Sequence, residues 1–180
     1  MKRLTMFHAV CLILGALAFV TARSEGGDNP KSTKVRIGTY DNRAIAIAYV
    51  ASQFQMDLMA EKKAAHQKAK AAGDQAKVKE LEAWGGQFQR QLHFQGFGRA
   101  PVDDLLEKVK GQLANLARDK QLAAITMSCD FTAEDIELID VTDDLVKLYN
   151  PSEKTLQSAR DIRKHKPVKL SEIDAHPAKD

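Results

Sequence analysis

The chain has 180 residues, 44% of them hydrophobic, 6% aromatic and 28% charged, with a formal charge of +3. That length allows one domain with a modest core, and the low aromatic share favours a helix-rich, elongated body over a thick globule. A charge this small excludes strong charge-driven attraction to nucleic acid or to a membrane surface.

The first element is read as an export signal over residues 1–22. Met1-Lys2-Arg3 gives a positive start, and residues 9–20 form an apolar run too short to span a bilayer comfortably. Val20-Thr21-Ala22 then places short residues before a cleavage point. Cleavage is expected after Ala22, with Ser24 as the second choice. Cys11 does not fit a lipid-modified cysteine, because His8 and Val10 occupy the positions where an apolar and a small residue are needed. Loss of Lys2 and Arg3 with the signal brings the formal charge down by two, to near neutrality. The exported chain retains one thiol, Cys129, so no internal disulfide forms. That cysteine is expected to be a buried small apolar residue on a strand.

Residues 23–33, with Gly26-Gly27 and Pro30, read as a flexible leader. Val35, Ile37 and Thr39 then alternate with Arg36, Gly38 and Tyr40, which predicts a short strand. Asp41 is placed to cap the helix that begins after it. Residues 43–72 are nearly all helix formers, with an apolar stripe at Ile47, Val50 or Ala51, Phe54, Leu58 and Ala65. Gly73-Asp74 either interrupts this helix or only weakens it. Val78, Leu81, Gly85, Phe88 and Leu92 form one regular seam, and Val102, Leu106, Val109, Leu113 and Leu116 form a second. Two such seams are expected to lie against each other in an interrupted antiparallel hairpin with arms of roughly 45 Å. Its main break is expected at 96–100, where Gly96-Phe97-Gly98 precedes Pro101, a residue suited to the first turn of the next helix. Trp84-Gly85-Gly86 is a further candidate kink or turn.

After Lys120 the period changes to two. Ala123, Ile125, Met127 and Cys129 predict a buried strand, and residues 137–141 predict another. Thr142 is placed to cap a short helix holding Leu145, Val146 and Leu148, which Asn150-Pro151 ends. Ser152 is expected to cap a further helix through about residue 163, and the remainder reads as an extended tail. The fold class is therefore α+β: a small sheet from both ends of the chain, a long helical hairpin and short C-terminal helices. Residues 34–150 form the domain, and 151–180 a helical extension and tail. Charge is polarised, with Lys62, Lys63, Lys68 and Lys70 in one stretch and Asp135, Asp140, Asp143 and Asp144 in another.

In this order of elements the chain resembles the Skp (OmpH-type) periplasmic chaperones. The resemblance rests on the signal, the opening strand Lys34-Val35-Arg36-Ile37-Gly38-Thr39-Tyr40-Asp41 running at once into a helix, and the charged hairpin. It rests also on the return block Asp140-Val141-Thr142-Asp143-Asp144-Leu145-Val146-Lys147. It implies a periplasmic trimer whose strands make a central body and whose helical arms hold unfolded outer-membrane or envelope proteins. No nucleotide, cofactor or catalytic residue is needed for such weak multiple contacts. A secreted adaptor of the same architecture, binding one folded partner, is the alternative.

The candidate contact residues are Phe88, Leu92, Phe94, Phe97 and Arg99, where aromatic surface concentrates near the predicted break. They form either a client surface or the packing that closes the hairpin. His93, Arg99, Asp103 and Asp104 supply acid and base groups but no nucleophile or oriented pair. Asp103 and Asp104 suit the first turn of a helix. No metal-ligand spacing is present: the cluster of Asp140, Asp143 and Asp144 lacks the glycine and ligand pattern of a calcium loop and reads as capping and solubility.

Overall fold

The structure, a computed structural model, describes residues 34–175; the expected signal (1–22), the expected leader (23–33) and residues 176–180 lie outside the described residues. In chain order the elements are β1 (Val35–Thr39), α1 (Asn42–Val50), α2 (Gln53–Ala71), α3 (Gln75–Phe97) and α4 (Asp103–Leu106). A 3-10 turn (Glu107–Val109) leads into α5 (Lys110–Asp119). Then come β2 (Ala124–Thr126), β3 (Ile136–Asp140), α6 (Thr142–Lys147), α7 (Glu153–Ile162) and α8 (Leu170–Ala175). This is a mixed helix-and-strand chain, in keeping with the α+β reading, and its sheet is parallel throughout. β1 lies in the middle, with Ile37 opposite Ala124 of β2 and Leu138 of β3. Parallel neighbours require long crossovers, and the helical region between β1 and β2 provides one.

Asp41 caps α1 as its position predicts, accepting a hydrogen bond from the Arg43 backbone N–H at 3.0 Å. The helix expected to run unbroken to residue 72 stops at Val50. Ser52 adopts an extended conformation and its hydroxyl donates to the Tyr49 carbonyl at 2.6 Å, so a serine competes with the helical ladder at that point. Val50 and Phe54, placed on the apolar stripe by spacing, are consequently exposed, whereas Leu58 and Ala65 are half-buried.

The chain reverses at Gly73. Asp74 N–H donates to the Ala69 carbonyl and Gly73 N–H to the Lys70 carbonyl, closing α2 with a Schellman motif. That motif requires the left-handed φ of +69° found at Gly73. Asp74 immediately caps α3 by accepting from the Lys77 N–H at 3.0 Å. Partners across the pair run in opposite order, with Lys62 over Trp84 and His66 beside Glu82. At 1.5 Å per residue, the two helices are about 28 and 34 Å long.

The break near 96–101 has a different role from the one expected. α3 runs straight through Gly85-Gly86 to Phe97. Its end is tied down by the buried Asn42 amide, which donates to the carbonyls of Gln95 (2.8 Å) and Gly98 (2.9 Å). Pro101 falls before α4 and not in its first turn. The two apolar seams do not lie against each other: α3 packs chiefly on α1 and α2. Val102 and Val109 of the second seam, with Leu105, instead join Ala44, Ile45, Tyr49, Val141, Leu145 and Tyr149 in one core. Tyr149 donates from its hydroxyl to the Leu105 carbonyl, and burial first, then nearby Asp104, pushes its pKa up.

Ser152 caps α7 through the Thr155 N–H. Thr142 is the first residue of α6, not its cap, and its hydroxyl accepts from the Asp41 N–H at 3.0 Å. The tail expected to be extended forms α8, which docks on the end of α3. Val168 N–H donates to the Phe97 carbonyl, and a Cβ on Gly98 would come within 2.5 Å of Leu170 Cδ2.

Candidate polypeptide-binding grooves

Along the α2–α3 pair runs an open trough of about 440 Å³, lined by Met59, Ala60, His66, Leu81, Trp84 and Gly85 among others. The lining is almost wholly apolar. Trp84 is fixed by stacking on Phe88 at 5.0 Å between ring centroids and by the Lys62 ammonium at 5.2 Å. Gly85 keeps the trough deep, since a Cβ there would meet nothing within 4 Å. Met56 and Met59 are exposed on α2.

A second groove of about 480 Å³ opens where α3 meets α1. Ala46, Ile47, Val50, Leu92, Gly96 and Phe97 form its apolar walls, and Lys154, Thr155 and Ser158 of α7 bring polar groups to it. Phe97 is 50% exposed and Val50 49%, so both side chains are available to a partner. On α3, Leu81 and Gly85 line the trough and Gln89, Leu92 and Gly96 line the second groove, and together they recur at steps of four, four, three and four. That spacing keeps them on one helix face, so both grooves lie along a single stripe about 22 Å long.

Phe88 and Leu92, singled out from the sequence, lie half-buried against the core. Phe94 is half-buried with the Arg90 guanidinium 5.1 Å from its ring. Phe97 stands beside His93, at 5.7 Å, in the second groove (the base groove). Arg99 lines a separate cavity at the sheet. The five therefore do not form one continuous surface. Met59, Ala60, Leu81 and Trp84 did not figure among them, although a methionine and a tryptophan near the reversal were visible as helical-face residues once the reversal is placed at Gly73.

The acid and base groups are also dispersed. His93 lines the base groove, Arg99 the other cavity, and Asp104 accepts from the amides of Gln91 and Gln95. Asp140 and Asp143 are both engaged by Arg163, Asp143 also by Arg160, and Asp144 by Lys120. Among the described residues no group of three or more His, Cys, Asp or Glu side chains is arranged to hold a metal ion. Cys129 is exposed, not buried: β2 ends at Thr126, so the thiol lies beyond the strand, 2.9 Å from the Phe131 carbonyl. No helix of the described residues is long and apolar enough to cross a membrane.

Fold and grooves define an α+β protein with a parallel three-stranded sheet and a helical pair that carries an apolar trough. Comparison with protein-family models, with curated proteins and with solved structures finds no match.

Proposed function

We propose that the exported chain is an ATP-independent holdase-type chaperone that binds apolar stretches of unfolded envelope or outer-membrane proteins. The observation that carries this is the single stripe on α3 joining two apolar grooves. A stripe of about 22 Å matches six or seven residues of extended polypeptide. Methionines suit such a role because their flexible, polarisable side chains adapt to many sequences. The order strand, helical pair, return strands supports the resemblance to Skp-type chaperones. With it comes a trimer, for which β2 and β3 each offer an outer edge that is unpaired among the described residues. No catalytic step or cofactor belongs to this reading.

The test is light scattering from a denatured outer-membrane protein diluted into buffer with and without the mature chain. Suppression at near-stoichiometric ratio is expected. A variant carrying Val50→Ser, Met59→Ser and Phe97→Ser changes only exposed side chains. It should keep its helicity and lose most of the suppression. Failure of the unaltered protein to suppress aggregation sinks the chaperone reading.

The adaptor reading draws on the base groove, whose apolar walls and polar α7 side chains suit one defined protein side chain. Affinity capture from an envelope fraction separates the two: many unrelated proteins for a chaperone, one stoichiometric partner for an adaptor.

A further inference from the structure

At the C-terminal ends of β1 and β3 lies a cavity of about 660 Å³ that the chaperone reading does not use. The parallel register brings Thr39 and Asp140 level, so Asp41 and Asn42 at the start of α1 and Thr142 at the start of α6 face the same side. In open α/β sheets this edge is where the strands leave a crevice between the helices that succeed them. The first turn of α1 adds the positive end of a nine-residue helix.

The cavity is lined by six cationic side chains, Arg43, Arg99, Arg160, Arg163, Lys164 and Lys166, against two carboxylates, Asp41 and Asp140. Both carboxylates are already neutralised. Arg43 grips Asp41 at 2.6 Å, and Arg163 holds Asp140. Burial alone pushes both carboxyls up, but the hydrogen bonds from Arg43 and Thr142 and the charge of Arg163 outweigh it and hold both below the ordinary value. Arg160 is turned to Asp143 and Lys164 to Asp161. Among the described residues Arg99 and Lys166 have no ion-pair partner, and both are exposed at the rim. Arg43 is almost fully buried at the base. With the other four cations paired, Arg99 and Lys166 leave the cavity with an excess of positive charge at its rim.

We propose that this cavity binds a phosphate-bearing small molecule, with Arg99 and Lys166 closing on the phosphate from the rim and the guanidinium of Arg163 beside it. A lone carboxylate would neutralise one charge, whereas a phosphate offers two charges and several acceptor oxygens to the arginine forks. The cavity falls within the usual range for small-ligand sites, so there is room for a substituent on the phosphate. The same phosphate chemistry is presented by a soluble ester and by a lipid headgroup.

Pyrophosphate is the probe, titrated calorimetrically into the mature chain at low, matched ionic strength, with acetate as the control anion. Saturable binding of pyrophosphate is expected, without binding of acetate. The double variant Arg99→Gln, Lys166→Gln alters two exposed side chains, so it should melt at an unchanged temperature and bind at least tenfold more weakly. Equal effects of pyrophosphate and acetate, no saturable binding, or unchanged affinity in the double variant would each overturn the proposal. Co-sedimentation with phosphatidic acid vesicles, competed by pyrophosphate, assigns the phosphate to a lipid. Binding of glycerol phosphate without co-sedimentation assigns it to a soluble ester. Because the grooves lie elsewhere, aggregation suppression should be the same in this variant, so failure of either reading is visible separately.

Discussion

Two paired side chains at the start of α1, Asp41 and Arg43, do more than their exposure suggests. The Arg43 side chain is only 4% exposed, and its charge is balanced by Asp41, which accepts from it at 3.0 and 2.6 Å while also capping the helix. Its remaining amino group donates to the His165 carbonyl and so ties the segment after α7 to the sheet edge. Asp41→Asn keeps the shape and the cap but leaves a buried guanidinium without its counter-charge, a loss expected to be about 3 kcal/mol. The net pKa of Asp41 lies below the ordinary 3.8. Its stabilisation is therefore complete above that value and is lost as pH falls through the lower folded-state value. The melting temperature of the Asn variant should be lower at neutral pH, and the gap to the unaltered protein should close below pH 3.8. A gap that persists in strong acid would remove the ion pair as its cause. The cap was legible from Asp41 followed by helix formers; the burial of Arg43 was not, because an arginine in the first turn of a helix is ordinarily solvated.

At the scale of elements, residues that look unfavourable are where the function is placed. Gly85 sits inside α3 with open space where a side chain would be, and glycine in a helix interior costs about 1 kcal/mol relative to alanine. Gly85→Leu should raise the melting temperature while filling the trough between Met59 and Trp84. Aggregation suppression should fall several-fold. A stabilised variant with undiminished suppression would show that the trough is not used. The helices and strands themselves were largely legible: β1 lies at the residues its alternation predicts, and Ser152 caps α7. Their pairing was not. Ala72-Gly73-Asp74 contains both the left-handed closing residue and the next cap, but three residues carry less weight in a periodicity reading than the cluster of glycines and proline at 96–101. That cluster proved to be a junction stitched by Asn42, whose amide acts across 53 residues, and by Gln95, whose amide reaches over the end of α3 to the Pro101 carbonyl, neither of which a local pattern reports. The tail departs from its expectation for a similar reason: α8 has only six residues and is held by Leu170 and Ile173 against Gly98, with Val168 bonded to the Phe97 carbonyl just before it.

The whole molecule divides its buried surface unevenly, and that division gives the sharpest test of what the helical pair is for. The main core draws on α1, the segment after Pro101, β3's end, α6 and α7. Ala69 and Val78, buried on α2 and α3, belong to no part of it. The outer part of the pair is therefore stabilised by its own contacts, and the core should persist without it. Packed helices lie about 9 Å apart, a gap that roughly three glycines span. Residues 61–86 can accordingly be replaced by such a linker joining Ala60 to Gln87, keeping Leu92, Gln95 and the junction with Asn42. The shortened chain should unfold cooperatively with a melting temperature within about 5 °C of the original, because the contacts removed lie outside the core. Pyrophosphate binding should be unchanged, since every residue around that cavity is retained. Aggregation suppression should be lost, because the trough is gone and the remaining groove is too short to hold an extended segment. Full suppression by the shortened chain would move the client site from the trough to the groove between α1 and α3, whereas loss of cooperative unfolding would show that the pair supports the core after all.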